Sequence, residues 1–140
     1  MEGQSYHGRR TARKGMEAVL IDTSILIGRF RREPKAMAAL EKVEGSTLAL
    51  CDAIVAEVLA GTRNKNEYVA TKQELFDKFH VLPFTMEVSI HFRKILDALS
   101  QGKDIHFADQ LIAATALAHN VPLLTLNKKH FMGIKELELI

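Results

Sequence analysis

Three carboxylates interrupt stretches of this chain that otherwise carry almost no charge. Asp22 follows Ala18-Val19-Leu20-Ile21, Glu57 stands alone within residues 53–61, and Asp109 stands alone within residues 107–118. An ionised carboxylate in apolar surroundings is costly unless it is paired, hydrogen-bonded or bound to a metal. Three such groups in three separate elements are most simply explained if the fold gathers them, and a divalent cation is the cheapest reason to gather like charges. Oxygen ligands without cysteine or paired histidine select Mg²⁺, with Mn²⁺ able to substitute, over zinc. The six histidines show no H-E-x-x-H spacing. A cation held in this way can activate a water and neutralise a phosphodiester transition state, which points to phosphodiester hydrolysis without a covalent intermediate. Each acid also has a plain structural explanation. Asp22 and Asp109 suit helix N-termini, and Glu57 could be a solvated residue on a partly exposed helix. Against the last reading, the helical neighbours of Glu57 are Ala53, Ile54, Ala60 and Gly61, all apolar or small.

The elements that must position these acids alternate in type. Residues 17–22 read as a buried strand and 23–32 as a helix. Residues 35–44 read as a second helix with Met37, Leu40 and Val43 inward, preceded by Pro34 and stopped by Gly45. Residues 47–51 form a second strand, and Asp52 suits the cap of a helix over 53–62. A charged amphipathic helix spans 66–78 with Val69, Leu75, Phe76 and Phe79 as its apolar members. Residues 80–84 form a third strand, with Pro83 marking an edge or an end. A helix over 87–100 turns Ile90, Ile95, Leu96 and Leu99 inward, and Gly102 ends it. An almost wholly apolar helix covers 107–119, a fourth strand 121–126, a loop or short helical turn 127–132, and residues 137–140 add a last strand. Strands alternating with helices imply an α/β fold with a central parallel sheet of four to five strands flanked by helices on both faces. Ligands of such sheets bind beyond the C-terminal ends of the strands, where Asp22 and Asn127 lie.

With 140 residues and 47% apolar content, the chain fits one domain with a sizeable core. Its single cysteine, Cys51, rules out an internal disulfide and suits the reducing cytoplasm, the expected location. No apolar run is long enough to span a membrane, and the basic start is not followed by the apolar stretch of a secretory signal. The net charge of +2 is unevenly spread: residues 1–15 hold four basic residues against one acid, leaving the remainder at −1. Residues 1–16 therefore read as a basic, flexible extension ahead of a domain over 17–140. The extension is either an arm for nucleic acid phosphates or a plain disordered tail.

The motifs Leu20-Ile21-Asp22-Thr23-Ser24, Ala56-Glu57-Val58-Leu59-Ala60-Gly61, Phe107-Ala108-Asp109-Gln110-Leu111-Ile112-Ala113-Ala114 and Leu124-Thr125-Leu126-Asn127-Lys128-Lys129-His130-Phe131 occur in that order. Together they resemble the ordered motifs of PIN-domain ribonucleases, and among these the VapC-type toxins. The resemblance implies a three-layer PIN-like fold and a metal-dependent endoribonuclease. It implies Asp22 and Asp109 as the principal Mg²⁺ or Mn²⁺ ligands, Glu57 completing the site directly or through water, and Asn127 at the fourth catalytic position. Ser24 or Thr23 would orient an acid. Many relatives carry an acid where this chain has Asn127 or His130, so three acids imply one metal rather than two. Asp104 is a further nearby carboxylate, and Lys128 and Lys129 or Arg29, Arg31 and Arg32 are available to phosphates. The resemblance further implies an RNA substrate, a homodimer and a VapB-type antitoxin. Two alternatives stay open: a PIN nuclease of housekeeping RNA processing, and a degenerate, non-catalytic PIN scaffold.

Overall fold

The computed structural model describes residues 17–99 and 105–140. The basic extension over 1–16, the helix end at Ser100, Gly102 and Asp104 lie outside them. The strands are β1 (Ala18–Ile21), β2 (Thr47–Leu50), β3 (His80–Val81) and β4 (Leu123–Leu124). The helices are α1 (Thr23–Phe30), α2 (Pro34–Glu41), α3 (Asp52–Ala60), α4 (Lys65–Lys78), α5 (Met86–Leu99) and α6 (Phe107–His119). A short 3₁₀ turn follows at Lys128–His130.

All pairings are parallel and the sheet order is β3-β2-β1-β4. Parallel crossovers are right-handed. The steps from β1 to β2 to β3 therefore lay α1–α4 on one face, and the long return from β3 to β4 lays α5 and α6 on the other. β1 is the strand from which the chain leaves in one direction and beside which it later returns from the other. Its C-terminal end is thus the topological switch point, the place where such sheets form a crevice. All four residues of β1 are buried. The expected fifth strand shrinks to one parallel bridge from Leu139 to Leu123, held by Leu123 N donating to Glu138 O and Ile140 N to Leu123 O, each at 2.9 Å. β3, at the opposite edge, ends before Pro83.

The inward faces differ from the expected ones at several helices. α2 buries Ala36 and Ala39 with Val43 behind them, whereas Met37 is exposed. The reason is its closeness to α1. A Cβ added at Gly28 would lie 2.5 Å from the Ala36 Cβ, so only small residues fit where these helices meet. In α4 only Leu75 is buried, with Phe79 just after it, and Val69 and Phe76 face outward. In α5, Val88, Ile95 and Leu99 are buried while Ile90 and Leu96 are exposed. Asp52 is the first residue of α3 and is exposed; Cys51 takes the cap position without a side-chain hydrogen bond. The apolar character of α6 is accounted for inside the molecule, since Ile112, Ala113, Ala114, Thr115 and Ala116 are all buried. A left-handed Asn120 (φ 57°) stops this helix and turns the chain into β4.

Candidate active site

Asp22 is one residue past the end of β1, and the sheet continues to hold it there. Its backbone N–H donates to Leu124 O at 2.9 Å. Its side chain is 4% exposed. Oδ1 accepts from Thr23 N at 2.8 Å, which caps α1. Oδ2 accepts from Ser24 Oγ at 3.1 Å and from Thr125 Oγ1 at 2.7 Å. Both hydroxyls are themselves oriented by the backbone beyond β4: Leu126 N donates to Ser24 Oγ at 3.2 Å, and Asn127 N to Thr125 Oγ1 at 2.9 Å. Two amide dipoles thus reach a buried carboxylate through two hydroxyls. A hydrogen bond to a charged group is worth roughly 1.5–3 kcal/mol, and three of them offset a burial penalty of several kcal/mol. Capping α1 and lining the crevice are therefore one role, because the helix starts at the sheet edge.

Thr125 is the site residue that sequence reasoning missed. The parallel register pairs Ile21 with Leu124, so the next step sets Asp22 beside Thr125. Thr125 is buried. The available signal was a lone hydroxyl inside the apolar run Leu123-Leu124-Thr125-Leu126, but the register that aims it belongs to the folded sheet.

Asp109 enters from α6, on its first turn, with 14% of its side chain exposed. Burial pushes its carboxyl above the ordinary carboxylate range, and the negative charges of Asp22 and Glu57 push the same way. His130 and His106 oppose the rise. His130 Nδ1 lies 3.3 Å from Asp109 Oδ2, and the two imidazoles stand edge-to-face at 6.4 Å. Asp22 and Glu57 thus lie close enough to Asp109 to act on its charge.

Glu57 corrects the expectation of a buried acid. It is exposed, as are Ala56 and Ala60, while Ile54, Val55, Val58 and Leu59 form the buried side of α3. Its small neighbours read as an apolar stripe, yet alanine and glycine face water at little cost. Glu57 is nonetheless tied to the pocket, because the Thr23 hydroxyl donates to its Oε1. Thr23 thus joins two acids, giving its backbone N–H to Asp22 and its hydroxyl to Glu57. Asn127 is also exposed and makes no side-chain capping bond; its backbone amide is the part that enters the network.

The donor set is all oxygen, as a hard cation requires. An ionised carboxylate offers about four lone-pair sites. Asp22 has spent both on Oδ2 and one on Oδ1, which leaves one for a cation. Among the described residues no three acidic, histidine or cysteine side chains form a ready-made metal cage. Mg²⁺ is usually held by one or two carboxylates and otherwise by water and substrate phosphates, and Asp22 and Asp109 are the carboxylates here that would serve it.

Acids gathered at the switch point of a parallel α/β sheet, with the deepest one fixed by hydroxyls, define the hydrolytic class of site rather than a nucleotide-binding one. The glycine-rich turn of the latter is missing after β1. Comparison with known proteins narrows the class. The PIN domain profile matches residues 19–135. Ribonuclease VapC of Rickettsia bellii is 33% identical over 126 residues, 87% of this chain and 94% of that protein. Ribonuclease VapC1 of Methanocaldococcus jannaschii is 34% identical over 131 residues, 91% of this chain and 89% of that one. Among solved structures, that of VapBC-1 from nontypeable Haemophilus influenzae superposes with a TM-score of 0.75 at 26% identity, covering 88% of this chain and 96% of the matched one. The chain belongs to the PIN-domain family, among its VapC ribonucleases.

Proposed function

We propose that this protein is a metal-dependent endoribonuclease that hydrolyses RNA phosphodiesters and serves as the toxin of a VapBC-type toxin–antitoxin pair. The single observation that carries the nuclease reading is the buried Asp22, fixed at the switch point within the electrostatic reach of Asp109 and Glu57. Asp22 and Asp109 are the residues that would hold Mg²⁺ or Mn²⁺. When bound, the cation supplies positive charge to the phosphodiester and lowers the pKa of a water. Asp22 keeps one lone pair directed by Thr23, Ser24 and Thr125. At Asp109 burial raises the proton affinity and His130 and His106 oppose the rise, so a cation bound there would favour its ionised form. Glu57, on the exposed rim, meets solvent while it accepts the Thr23 hydroxyl.

The partner side of the reading rests on the relatives. Solved neighbours include VapBC-1 of Haemophilus influenzae and a toxin–antitoxin complex from Klebsiella pneumoniae. In this chain Tyr68, Val69 and Phe76 on α4 and Met86 and Ile90 on α5 are exposed. Apolar surface of that kind suits protein contacts, and a homodimer bound by a VapB-type antitoxin would cover it. No helix among the described residues is long and apolar enough to cross a membrane. The buried thiol of Cys51 suits the reducing cytoplasm.

Purified protein incubated with structured RNA tests this reading. Cleavage is expected with Mg²⁺ or Mn²⁺, none in EDTA, and none with Asp22→Asn or Asp109→Asn. Undiminished cleavage by either variant would refute the proposed site. Mg²⁺ at ten times its dissociation constant should also stabilise the wild type by about 1.4 kcal/mol, and the Asp109→Asn protein by much less.

A further inference from the structure

Beside the acidic pocket lies a cleft of opposite sign. It has a volume of about 570 Å³ and runs between α2 and the turn after β4. Lys35 enters it from α2, Lys42 from the C-terminal cap of that helix, and Lys128 and Lys129 from the 3₁₀ turn; no acidic residue lines it. Positions 35 and 42 are seven apart, with Ala38 and Ala39 between them, so the two lysines share one helical stripe over a small-residue floor. All four ammonium groups are exposed, and among the described residues none has an ion-pair partner. On α4 and just before it, Lys78 pairs with Glu74 and Arg63 with Glu67, both at 3.2 Å, whereas Lys65 and Lys72 are unpaired among the described residues but do not line this cleft. Unpaired like charges facing one groove repel each other unless an anion occupies it.

The cleft and the acidic pocket meet at two residues. Thr125 lines the cleft and donates to Asp22; His130 lines the cleft and contacts Asp109. A chain of phosphates lying along the lysines would therefore run straight into the acids. We propose that this cleft is the track for the RNA backbone on one side of the scissile phosphate, with Lys35, Lys42, Lys128 and Lys129 as positioning residues. The inference rests on the nuclease reading above and adds to it where the substrate lies. Apart from the imidazole of His130 at its acidic end, the cleft has no aromatic lining on which bases could stack, and its floor is alanine, leucine and isoleucine. It therefore grips phosphates and does not read sequence. An RNA strand fits better than an acidic peptide because the positive charge continues to the point where a phosphodiester would be cut.

The test measures binding and cleavage separately. Binding of a short fluorescein-labelled oligouridine is followed by anisotropy in EDTA across a salt series. It is compared for the wild type, for a variant with all four lysines changed to Gln, and for a control with Lys65→Gln and Lys72→Gln on α4. For single strands each phosphate contact contributes about −0.7 to the slope of log K against log salt. The four-lysine variant should lose about 3 from the slope and bind at least about tenfold more weakly at low salt, with circular dichroism unchanged; the control should match the wild type. In Mg²⁺ the same variant should raise KM on longer RNAs far more than it changes the cleavage of a dinucleotide, which has no flanking strand. A slope change below about 1 overturns the proposal. So does an equal loss on the dinucleotide, or wild-type binding of oligoglutamate that is tighter than that of oligouridine and depends on these lysines. Failure of the wild type to cleave any RNA would refute the nuclease reading instead, so the two failures are read from different measurements.

Discussion

Asp22 and Asp109 share a pocket but are held by different kinds of support. Asp22 stands at the end of a strand, tied by its own amide to β4 and by three side-chain hydrogen bonds to Thr23, Ser24 and Thr125. Asp109 stands on a helix, is less deeply buried, and meets the ring of His130, itself half exposed, at 3.3 Å. The strand-end acid is fixed before any ligand arrives. The helix-borne acid is strained by its neighbours' charges and gains most from an incoming cation. In this pocket the sheet supplies precision and the helices supply unmet charge.

The sharpest way to break this contrast is to neutralise each acid. Both Asp22→Asn and Asp109→Asn should reduce RNA cleavage to background, but their stabilities should part. Replacing Asp22 by Ala strands the buried Thr125 hydroxyl and the Ser24 hydroxyl, at about 1–3 kcal/mol for each donor left unsatisfied. Asp109→Asn removes a charge that its surroundings disfavour, so metal-free denaturant unfolding at neutral pH should show it at least as stable as the wild type. Equal destabilisation of the two variants would erase the distinction.

A smaller effect is expected at Thr125. Thr125→Val keeps the shape, removes the hydroxyl that links Asn127 N to Asp22, and should lower cleavage by about 10–100-fold, the usual range for residues that orient a metal ligand. Its stability cost should be about 1 kcal/mol. A wild-type rate would mean that Ser24 and Thr23 suffice to hold Asp22.

The pH dependence of metal-free stability isolates the other half. Because the folded-state carboxyl of Asp109 is raised, the folded protein holds more protons than the unfolded one between the ordinary carboxylate range and the raised value. Its contribution to stability therefore falls as pH rises through that window and returns as pH is lowered. Chemical unfolding of wild type and Asp109→Asn across the acidic range should show this component in the first and not in the second. The smallest effect belongs to the rim: Glu57→Gln should slow cleavage less than about tenfold, because a solvent-facing carboxylate is the easiest to replace by water.

Much of this was legible in the chain. Strand and helix alternation, the helix start at Pro34 and the edge character of the strand before Pro83 follow from local sequence, because apolar periodicity and backbone restriction act over a few residues. The acids were legible for the same reason: one charge in an apolar stretch stands out. The burial of Glu57 was misread because alanine is compatible with either side of a helix. The inward faces of α2, α4 and α5 were misread because those helices are only partly covered, so apolar residues occur on both of their sides.

What the sequence determined by itself, then, is the set of elements and the three acids they carry, since hydrophobic pattern and charge isolation are properties of short segments. Only the tertiary structure decided that β4 lies beside β1 in the register that sets Thr125 against Asp22, that His130 comes back to Asp109, and that lysines 35, 42, 128 and 129 face one cleft. The first joins residues 103 positions apart, the second a helix start to the turn that follows the next strand, and the third α2 to that same turn; such pairings are chosen by strand order and by the close approach of α1 and α2 at Gly28, which no short segment encodes.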